Sequence, residues 1–289
     1  MFSGVDLGLL KRLLRAPLTA AALVIVLGFA LMAVFAPWLA PFDPVRIDVL
    51  NKLKPPSEVH WFGTDQLGRD LLSRIIYGSR IALTIAVVSV GIAGAVGVLL
   101  GILMGYGPRW LDAVLVLILD SLNAVPMILF ALALITVIGP GRDTLILVIV
   151  LGSIPGYARL IRAQVLALRS ADYIVAEQSL GASGLRIGLV HLLPNVVGPL
   201  VILLSMDIPV VIMVEAGLSF LGFGVRPPAP SWGTILNDGY VSLRFAPTMV
   251  MFAGLPLVLA TLGFTFLGEG LRDALDPRLQ IRGPRWPLR

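Results

Sequence analysis

The sequence contains no cysteine and few charged residues, and these two absences narrow the class of protein. Without cysteine the chain cannot form disulfides or thiolate metal sites. Asp, Glu, Lys and Arg make up only 13% of its 289 residues, about half of the share typical of soluble domains. Hydrophobic residues make up 57%, and the mean hydropathy is +0.94. This composition predicts an integral membrane protein.

Motifs for nucleotide binding and metal-dependent hydrolysis are also missing. None of the three lysines, Lys11, Lys52 and Lys54, follows a glycine, so the phosphate-binding motif G-x-x-x-x-G-K-[ST] is absent. His60 and His191 are far apart in the sequence and belong to no H-E-x-x-H motif, which gives little support to a zinc site. We find no nucleophile–base pairing typical of a hydrolase. We therefore expect a chain that is not an enzyme and holds no metal or cofactor of its own.

Long uncharged runs predict six transmembrane helices, because a span needs about 20 mostly apolar residues. The fifth run follows Pro194 and contains Asp207 and Glu215. The other five lie between pairs of charged residues: Arg15 and Asp43, Arg80 and Arg109, Asp112 or Asp120 and Arg142, Asp143 and Arg159 (extendable to about Leu166), and Arg244 and Glu269. The predicted organisation is an N-terminal segment 1–15, a six-helix transmembrane domain 16–271, and a C-terminal tail 272–289.

Basic residues indicate the orientation of these spans. The net charge is +5 and the pI about 10.0, but most Lys and Arg residues gather beside apolar runs, which favours membrane orientation over nucleic-acid binding. Placing both termini in the cytoplasm puts most of them on the inner side, despite several in the first outer loop (about 41–79). A second outer loop then covers about 223–246. The first apolar run is too long for a signal peptide, so we interpret it as an uncleaved helix.

Three glycines in the second run, Gly97, Gly101 and Gly105, are spaced four residues apart. This spacing places them on one face of a helix, where small residues allow close approach of another helix. The stripe predicts helix packing, either within this chain or against another subunit.

A polar stretch, Ala171–Asn195, interrupts the apolar sequence between the fourth and fifth spans, and we call it the polar insert. Asp172 is a candidate cap for a first short helix, and Gly181 suits a helix end that needs a positive φ. Ser183 is a candidate cap for a second short helix that ends near Leu192, before Pro194 begins the fifth span. Helix, glycine turn and helix form a rigid handle for a cytoplasmic partner; the alternative is an amphipathic interfacial loop without a partner.

The polar insert resembles the EAA loop of ABC-importer permeases, in which E-A-A is followed by three residues, Gly, nine residues and I-x-L-P. Ala176, Gly181, Leu193 and Pro194 stand at matching positions. Val175, Glu177 and His191 depart from the pattern. The missing motif glutamate at Val175 puts any salt bridge from that position in doubt, whereas the retained glycine and Leu-Pro end preserve the geometry for docking.

Three further segments extend this resemblance over almost the whole chain. They are HWFGTDQLGRDLLSRIIYGSR (60–80), EAGLSFLGFGVRPPAPSWGTIL (215–236) and GEGLRDALDPRL (268–279). With the insert, they resemble the dipeptide/oligopeptide/nickel permease family, in the subunit type with a long first outer loop.

The resemblance implies an all-α, type I ABC importer permease in a bacterial inner membrane. Its partners would be a homologous second permease, two cytoplasmic P-loop ATPases that bind ATP and Mg²⁺, and an extracytoplasmic substrate-binding protein. The cargo would be a dipeptide or oligopeptide, with nickel or another small solute as the alternative. A coupling loop of about 167–195 would dock on one ATPase through residues of the insert: Asp172, Tyr173, Ala176, Glu177, Gly181, Ala182, Ser183, His191, Leu193 and Pro194.

Acidic residues within the spans are the remaining candidates, because such groups are costly in lipid and usually face water or a helix bundle. We expect Asp120 to form a structural pair with Arg159 or Arg162, with a place in the pathway as the alternative. Asp207, with its neighbours Ser205 and Met206, is the better pathway candidate. Glu215 lies toward the outer end of its span and could reach interfacial water. A proton-coupled transporter using these acids is the rival function.

Overall fold

The computed structural model describes residues 13–14 and 16–275, which are mainly helical. A single 3-10 turn, Val49–Asn51, lies in the first long loop. The helices are α1 (Pro17–Val34), α2 (Ala36–Leu39), α3 (Leu71–Tyr106), α4 (Arg109–Asn123), α5 (Met127–Ile138), α6 (Arg142–Leu168), α7 (Asp172–Ser179), α8 (Gly184–Phe220), α9 (Trp232–Val241) and α10 (Pro247–Leu275).

Five of these helices, α1, α3, α6, α8 and α10, are each long and apolar enough to cross a membrane. The third predicted span is not one straight helix. It consists of α4 and α5, which together satisfy the same criterion but are bent by 87° at the break between them. Pro126 stands at this break, at the cap position of α5, where its missing N–H and its effect on the preceding residue interrupt a helix. The part of the chain that the structure describes therefore contains six candidate spans when the bent pair is counted as one.

The glycine stripe packs α3 against α6, within this chain. A β-carbon at Gly97, Gly101 or Gly105 would fall 2.5, 2.5 and 2.7 Å from the Cβ atoms of Tyr157, Ile161 and Val165, respectively. Residue numbers increase in the same direction along both helices, so α3 and α6 are parallel. Two parallel spans require a single crossing between them, and only the bent pair α4–α5 is available for it. The seam thus supports the count of six spans.

Buried ion pairs fix the first outer loop to α9. Asp65 is fully buried and binds Arg69 at 2.6 Å and Arg74 at 3.3 Å. Arg69 also approaches Asp238 of α9 at 3.5 Å. Paired in this way, the buried charges are compensated, and the loop is joined to a segment far away in the sequence.

Asp70 does not pair with Arg74, four residues later in the sequence, whose partners are Asp65 and Asp238. Asp70 caps α3 instead, and its carboxylate accepts hydrogen bonds from the backbone N–H and the hydroxyl of Ser73 at 2.8 and 2.6 Å. It also contacts His60 at 2.9 Å. Capping at Asp70 starts α3 at Leu71, and the 36 residues of this helix extend to about 54 Å, well beyond a hydrocarbon core of about 30 Å. Helix α3 therefore begins within the segment expected as the first outer loop (about 41–79), and it is long enough for its first turns to lie outside the hydrocarbon core.

Other predicted boundaries also shift. The second outer loop contains α9, whose Trp232 is fully buried and donates a hydrogen bond to the Ile75 carbonyl at 3.0 Å. Helix α10 continues through residues 272–275, where the tail was expected to begin. Most of the predicted N-terminal segment (1–12 and 15) and the rest of the tail (276–289) lie outside the described residues.

Candidate functional site

The polar insert folds as a short helix, a glycine turn and the first turns of a long helix. Helix α7 ends at Ser179, and Gly181 follows with a φ of +82°, a conformation that favours glycine. The Ser183 hydroxyl then accepts a hydrogen bond from the Arg186 backbone N–H at 3.3 Å and caps α8. Asp172 does not act as the cap, because Ala171 occupies that position and Asp172 lies in the first turn.

The second short helix does not end before the fifth span. Helix α8 runs from Gly184 to Phe220, with a π-helical segment at Ile187–Leu192. Leu193 and Pro194 follow this segment and begin the regular α-helix, where the missing N–H of Pro194 is tolerated. The second short helix therefore continues into the fifth span without a break, and the change from π-helix to α-helix falls at Leu193, beside the boundary expected at Pro194.

One side of the insert is anchored to the transmembrane helices. Ile174, Ile187 and Leu192 are fully buried in a cluster with residues of α3 and α6. Gln178 of α7 donates a hydrogen bond to the Tyr106 hydroxyl, at the end of α3, at 3.2 Å. Arg169 donates to the Gly105 carbonyl at 3.5 Å. The buried cluster and the Gln178 hydrogen bond connect the insert to α3 and α6, and the Arg169 hydrogen bond joins the end of α6 to α3.

The predicted docking residues divide between contacts within the insert and its exposed face. Glu177 and His191 approach each other at 3.6 Å, and the rings of Tyr173 and His191 lie 6.4 Å apart. The other predicted docking residues differ in exposure. Those that are exposed are Asp172, Ala176, Gly181, Ser183 and Pro194, whereas Ala182 and Leu193 are half-buried.

The outer side of the insert also carries apolar side chains that the motif did not indicate. Leu180, beside the glycine turn, is 84% exposed, and Leu185 is also largely exposed. Tyr173, Val175, Leu189 and Val190 are exposed around them. The sequence shows two leucines beside a tight polar turn, but only the packing of the insert shows that they are exposed, as residues of contact surfaces are.

Residues of α6 contact three acidic residues of the other spans. Arg159 donates a hydrogen bond to Asp120 of α4 at 3.1 Å, and Arg162 binds both carboxylate oxygens of Asp112 at 2.6 and 2.7 Å. Asp207 of α8 instead faces Tyr157. Tyr157 and Arg159 are two residues apart on α6 and so project to opposite sides. The structure therefore does not bring the two pathway candidates, Asp120 and Asp207, together.

The neighbours of Asp207 have different surroundings. The Ser205 hydroxyl donates to the Ile202 carbonyl of its own helix at 2.7 Å. Met206 packs against Gly268 of α10, where a β-carbon would lie 3.2 Å from the Met206 Cγ. Ser205, Met206 and Asp207 are consecutive residues of one helix and do not form a common pocket.

The expectation that Glu215 reaches interfacial water is wrong. Its side chain is fully buried, and one carboxylate oxygen accepts a hydrogen bond from the Ser219 hydroxyl at 2.7 Å. Ser219 also accepts a hydrogen bond from the Val225 backbone N–H at 3.3 Å. The outer loop folds back over α8 and excludes solvent, which the position of Glu215 in the sequence could not show.

Comparison with known proteins agrees with this architecture. Residues 97–281 match the model of the family described as "binding-protein-dependent transport system inner membrane component". Residues 9–56 match the N-terminal transmembrane domain of oligopeptide transport permease C. The chain belongs to this family of importer permeases.

Relatives over nearly the whole chain share this assignment. A dipeptide transport system permease protein of Alkalihalophilus pseudofirmus is 37% identical over 93% of this chain and 89% of its own length. A glutathione transport system permease protein of Pectobacterium atrosepticum is 40% identical over 93% of this chain and 90% of its own. A further glutathione permease, from Escherichia coli, is 42% identical over 91% of this chain and 86% of its own.

Family membership establishes a multi-pass, all-α protein of the type I ABC permease architecture. The homologues are transport permease subunits. The rival function, a proton-coupled transporter, is not that of this family.

Proposed function

We propose that this permease forms half of the translocation pathway of an ATP-driven peptide importer and couples that pathway to a cytoplasmic ATPase through the polar insert. The observation that carries the coupling role is the two-sided construction of the insert. Its inner side is packed on α3 and α6, and its outer side exposes Leu180 and Leu185. A surface of this kind offers apolar anchors on a rigid support.

The continuity of α8 supports transmission of movement. The part of the docking surface that carries Leu185 and the fifth span belong to one helix, Gly184–Phe220. A displacement of the insert by an ATPase therefore moves the fifth span as a rigid body, and the hydrogen bond between Gln178 and Tyr106 carries the movement to α3. Coupling requires that the docked ATPase favour one arrangement of the spans over the other.

The proposed assembly follows from the family. A second, homologous permease completes the pathway, two P-loop ATPases bind ATP and Mg²⁺, and an extracytoplasmic binding protein delivers the cargo. The complex lies in a bacterial inner membrane with both termini of this chain in the cytoplasm, so that the insert faces the ATPases. The names of the relatives, which transport dipeptides and glutathione, support a short peptide as the cargo.

The test uses the complete importer, purified through a tag on this chain and reconstituted in liposomes with its binding protein. Leu180→Asp places a charge on the exposed face, so we expect loss of ATPase subunits from the purified complex and loss of ATP-driven uptake of a labelled dipeptide.

Leu50→Asp is the matched control, since Leu50 is 90% exposed but lies in the first outer loop. We expect this variant to retain its ATPases. Retention of both ATPases and uptake by the Leu180 variant would exclude the insert as the coupling element. Failure of the wild-type importer to carry any peptide would exclude the cargo.

A further inference from the structure

An ion pair lies on an exposed face of two membrane helices. Arg159 of α6 and Asp120 of α4 are joined by a hydrogen bond of 3.1 Å, yet their side chains are 47% and 54% exposed, respectively. An exposed face of a membrane protein meets lipid, water or another subunit. The depth of the pair in the membrane decides which of these three surrounds it.

The pair lies within the hydrocarbon region. The 27 residues of α6 extend to about 40 Å, whereas a hydrocarbon core is about 30 Å thick. Arg159 is nine residues (168 − 159) from the end of α6 at Leu168, or about 14 Å. Even if the whole excess length of α6 projected at this end, Arg159 would remain inside the core.

The Arg159 side chain does not extend toward the nearer membrane surface. Its Nε donates a hydrogen bond to the Pro155 carbonyl at 3.2 Å, one turn farther from that surface. The short carboxylate of Asp120 has no comparable reach. Charged groups at this depth almost always face a helix bundle or a water-filled cavity, so we place this face of α4 and α6 toward water or another subunit.

A second ion pair on the same helices has a different construction. Asp112 accepts two hydrogen bonds from Arg162, at 2.6 and 2.7 Å, through both of its oxygens. Their side chains are only 23% and 33% exposed, respectively. This closed, two-point pair holds α4 on α6. The pair of Arg159 with Asp120 uses one oxygen of the carboxylate and presents its charged groups to the exposed side.

We propose that Asp120 and Arg159 form a binding site for the charged ends of a peptide in transit. Arg159 binds the terminal carboxylate, for which a guanidinium is the matching partner. Asp120, released from Arg159, binds the terminal ammonium. Opening the pair leaves two uncompensated charges, and a zwitterionic ligand neutralises both. This inference rests on the proposed function, because the face it assigns to the pathway is completed by the second permease.

The first test compares two peptides in the reconstituted importer. Uptake of a free dipeptide and of the same dipeptide with an amidated C-terminus is measured for wild type, Arg159→Gln and Arg162→Gln. Loss of a charge-assisted hydrogen bond should lower uptake of the free peptide by Arg159→Gln roughly tenfold or more, with little effect on the amidated peptide. The ratio of the two rates should thus fall, whereas Arg162→Gln should keep the wild-type ratio. An unchanged ratio in Arg159→Gln would overturn the proposal.

The second test exchanges the charges and does not depend on transport of the amidated peptide. Asp120→Arg combined with Arg159→Asp restores an ion pair but reverses its ends. We expect normal assembly with the ATPases and uptake that stays roughly tenfold below wild type. By contrast, exchanging the charges of Asp112 and Arg162 in the same way should leave uptake at the wild-type level. Full uptake with the exchanged Asp120–Arg159 pair, or failure of that variant to assemble, would identify the pair as structural. If wild type carries no peptide, the proposed function fails instead.

Discussion

Gly101 and Ile161 lie so close together that a β-carbon on residue 101 would fall 2.5 Å from the Ile161 Cβ. This contact is the middle of three along the seam between α3 and α6. It brings two parallel spans to a separation that other residues at position 101 do not allow.

Gly101→Ala should therefore separate α3 from α6. Overpacking of this kind costs about 1–3 kcal/mol, so we expect a lower melting temperature and a smaller monodisperse fraction in size-exclusion chromatography. Gly91→Ala is the matched control, because Gly91 lies on the same helix and a β-carbon there would have no atom within 4 Å. Equal stability of the two variants would contradict the seam.

Gly181 requires glycine for its backbone conformation and not for space. Its φ is +82°, and a β-carbon there would meet nothing within 4 Å. Gly181→Val should distort the turn between α7 and α8, because a β-branched residue is strained at this φ. We expect less ATPase in the purified complex and unchanged membrane insertion. Gly181→Asn, which tolerates this conformation, should behave like wild type. ATPase recovery equally low in both variants would point to the side chain rather than the turn.

Asp238 gives the fold of the outer loop a dependence on pH. Burial raises the pKa of its carboxyl above the usual value, although Gln66, Arg74 and Arg69 act in the opposite direction. Because its pKa is raised in the folded state, the Asp238 carboxyl contributes to stability below its ordinary pKa of 3.8. This contribution is lost as the pH rises through the raised pKa.

Asp238→Asn removes this titration. We therefore expect the melting temperature of the variant, relative to wild type, to increase between a pH of about 4 and neutrality. Asp143→Asn, at an exposed acid, controls for the loss of one negative charge. A difference between Asp238→Asn and wild type that stays constant or decreases with pH would contradict the assignment.

Features that depend on local chemistry were predictable from the sequence. The apolar runs gave the six spans, the spacing of Gly97, Gly101 and Gly105 gave a common helix face, and Gly181 and Ser183 gave the turn and the following cap. Each depends on residues that are close in sequence, so tertiary structure had little to add.

Features that depend on distant contacts were not predictable. Arg74, four residues after Asp70, is a suitable partner for it, but Arg74 pairs with Asp65 and Asp238 instead. Glu215 is buried by a loop that folds back over it. Exposure of Leu180 became visible only when the packing of Ile174 showed which side of the insert faces inward. The interrupted third span had a local signal in Pro126, but its angle of 87° is a property of the fold.

The most direct test of the coupling role is chemical cross-linking from the polar insert. Because the chain has no cysteine, a single Leu180→Cys substitution provides one attachment point for a short thiol-to-amine cross-linker, and Leu50→Cys provides the outer-loop control. In intact membranes, we expect the Leu180→Cys chain to join a P-loop ATPase, identified by mass spectrometry, and the Leu50→Cys chain to join no ATPase. A Leu180→Cys chain that never joins an ATPase, while Leu50→Cys does, would contradict the assignment of the insert as the coupling element.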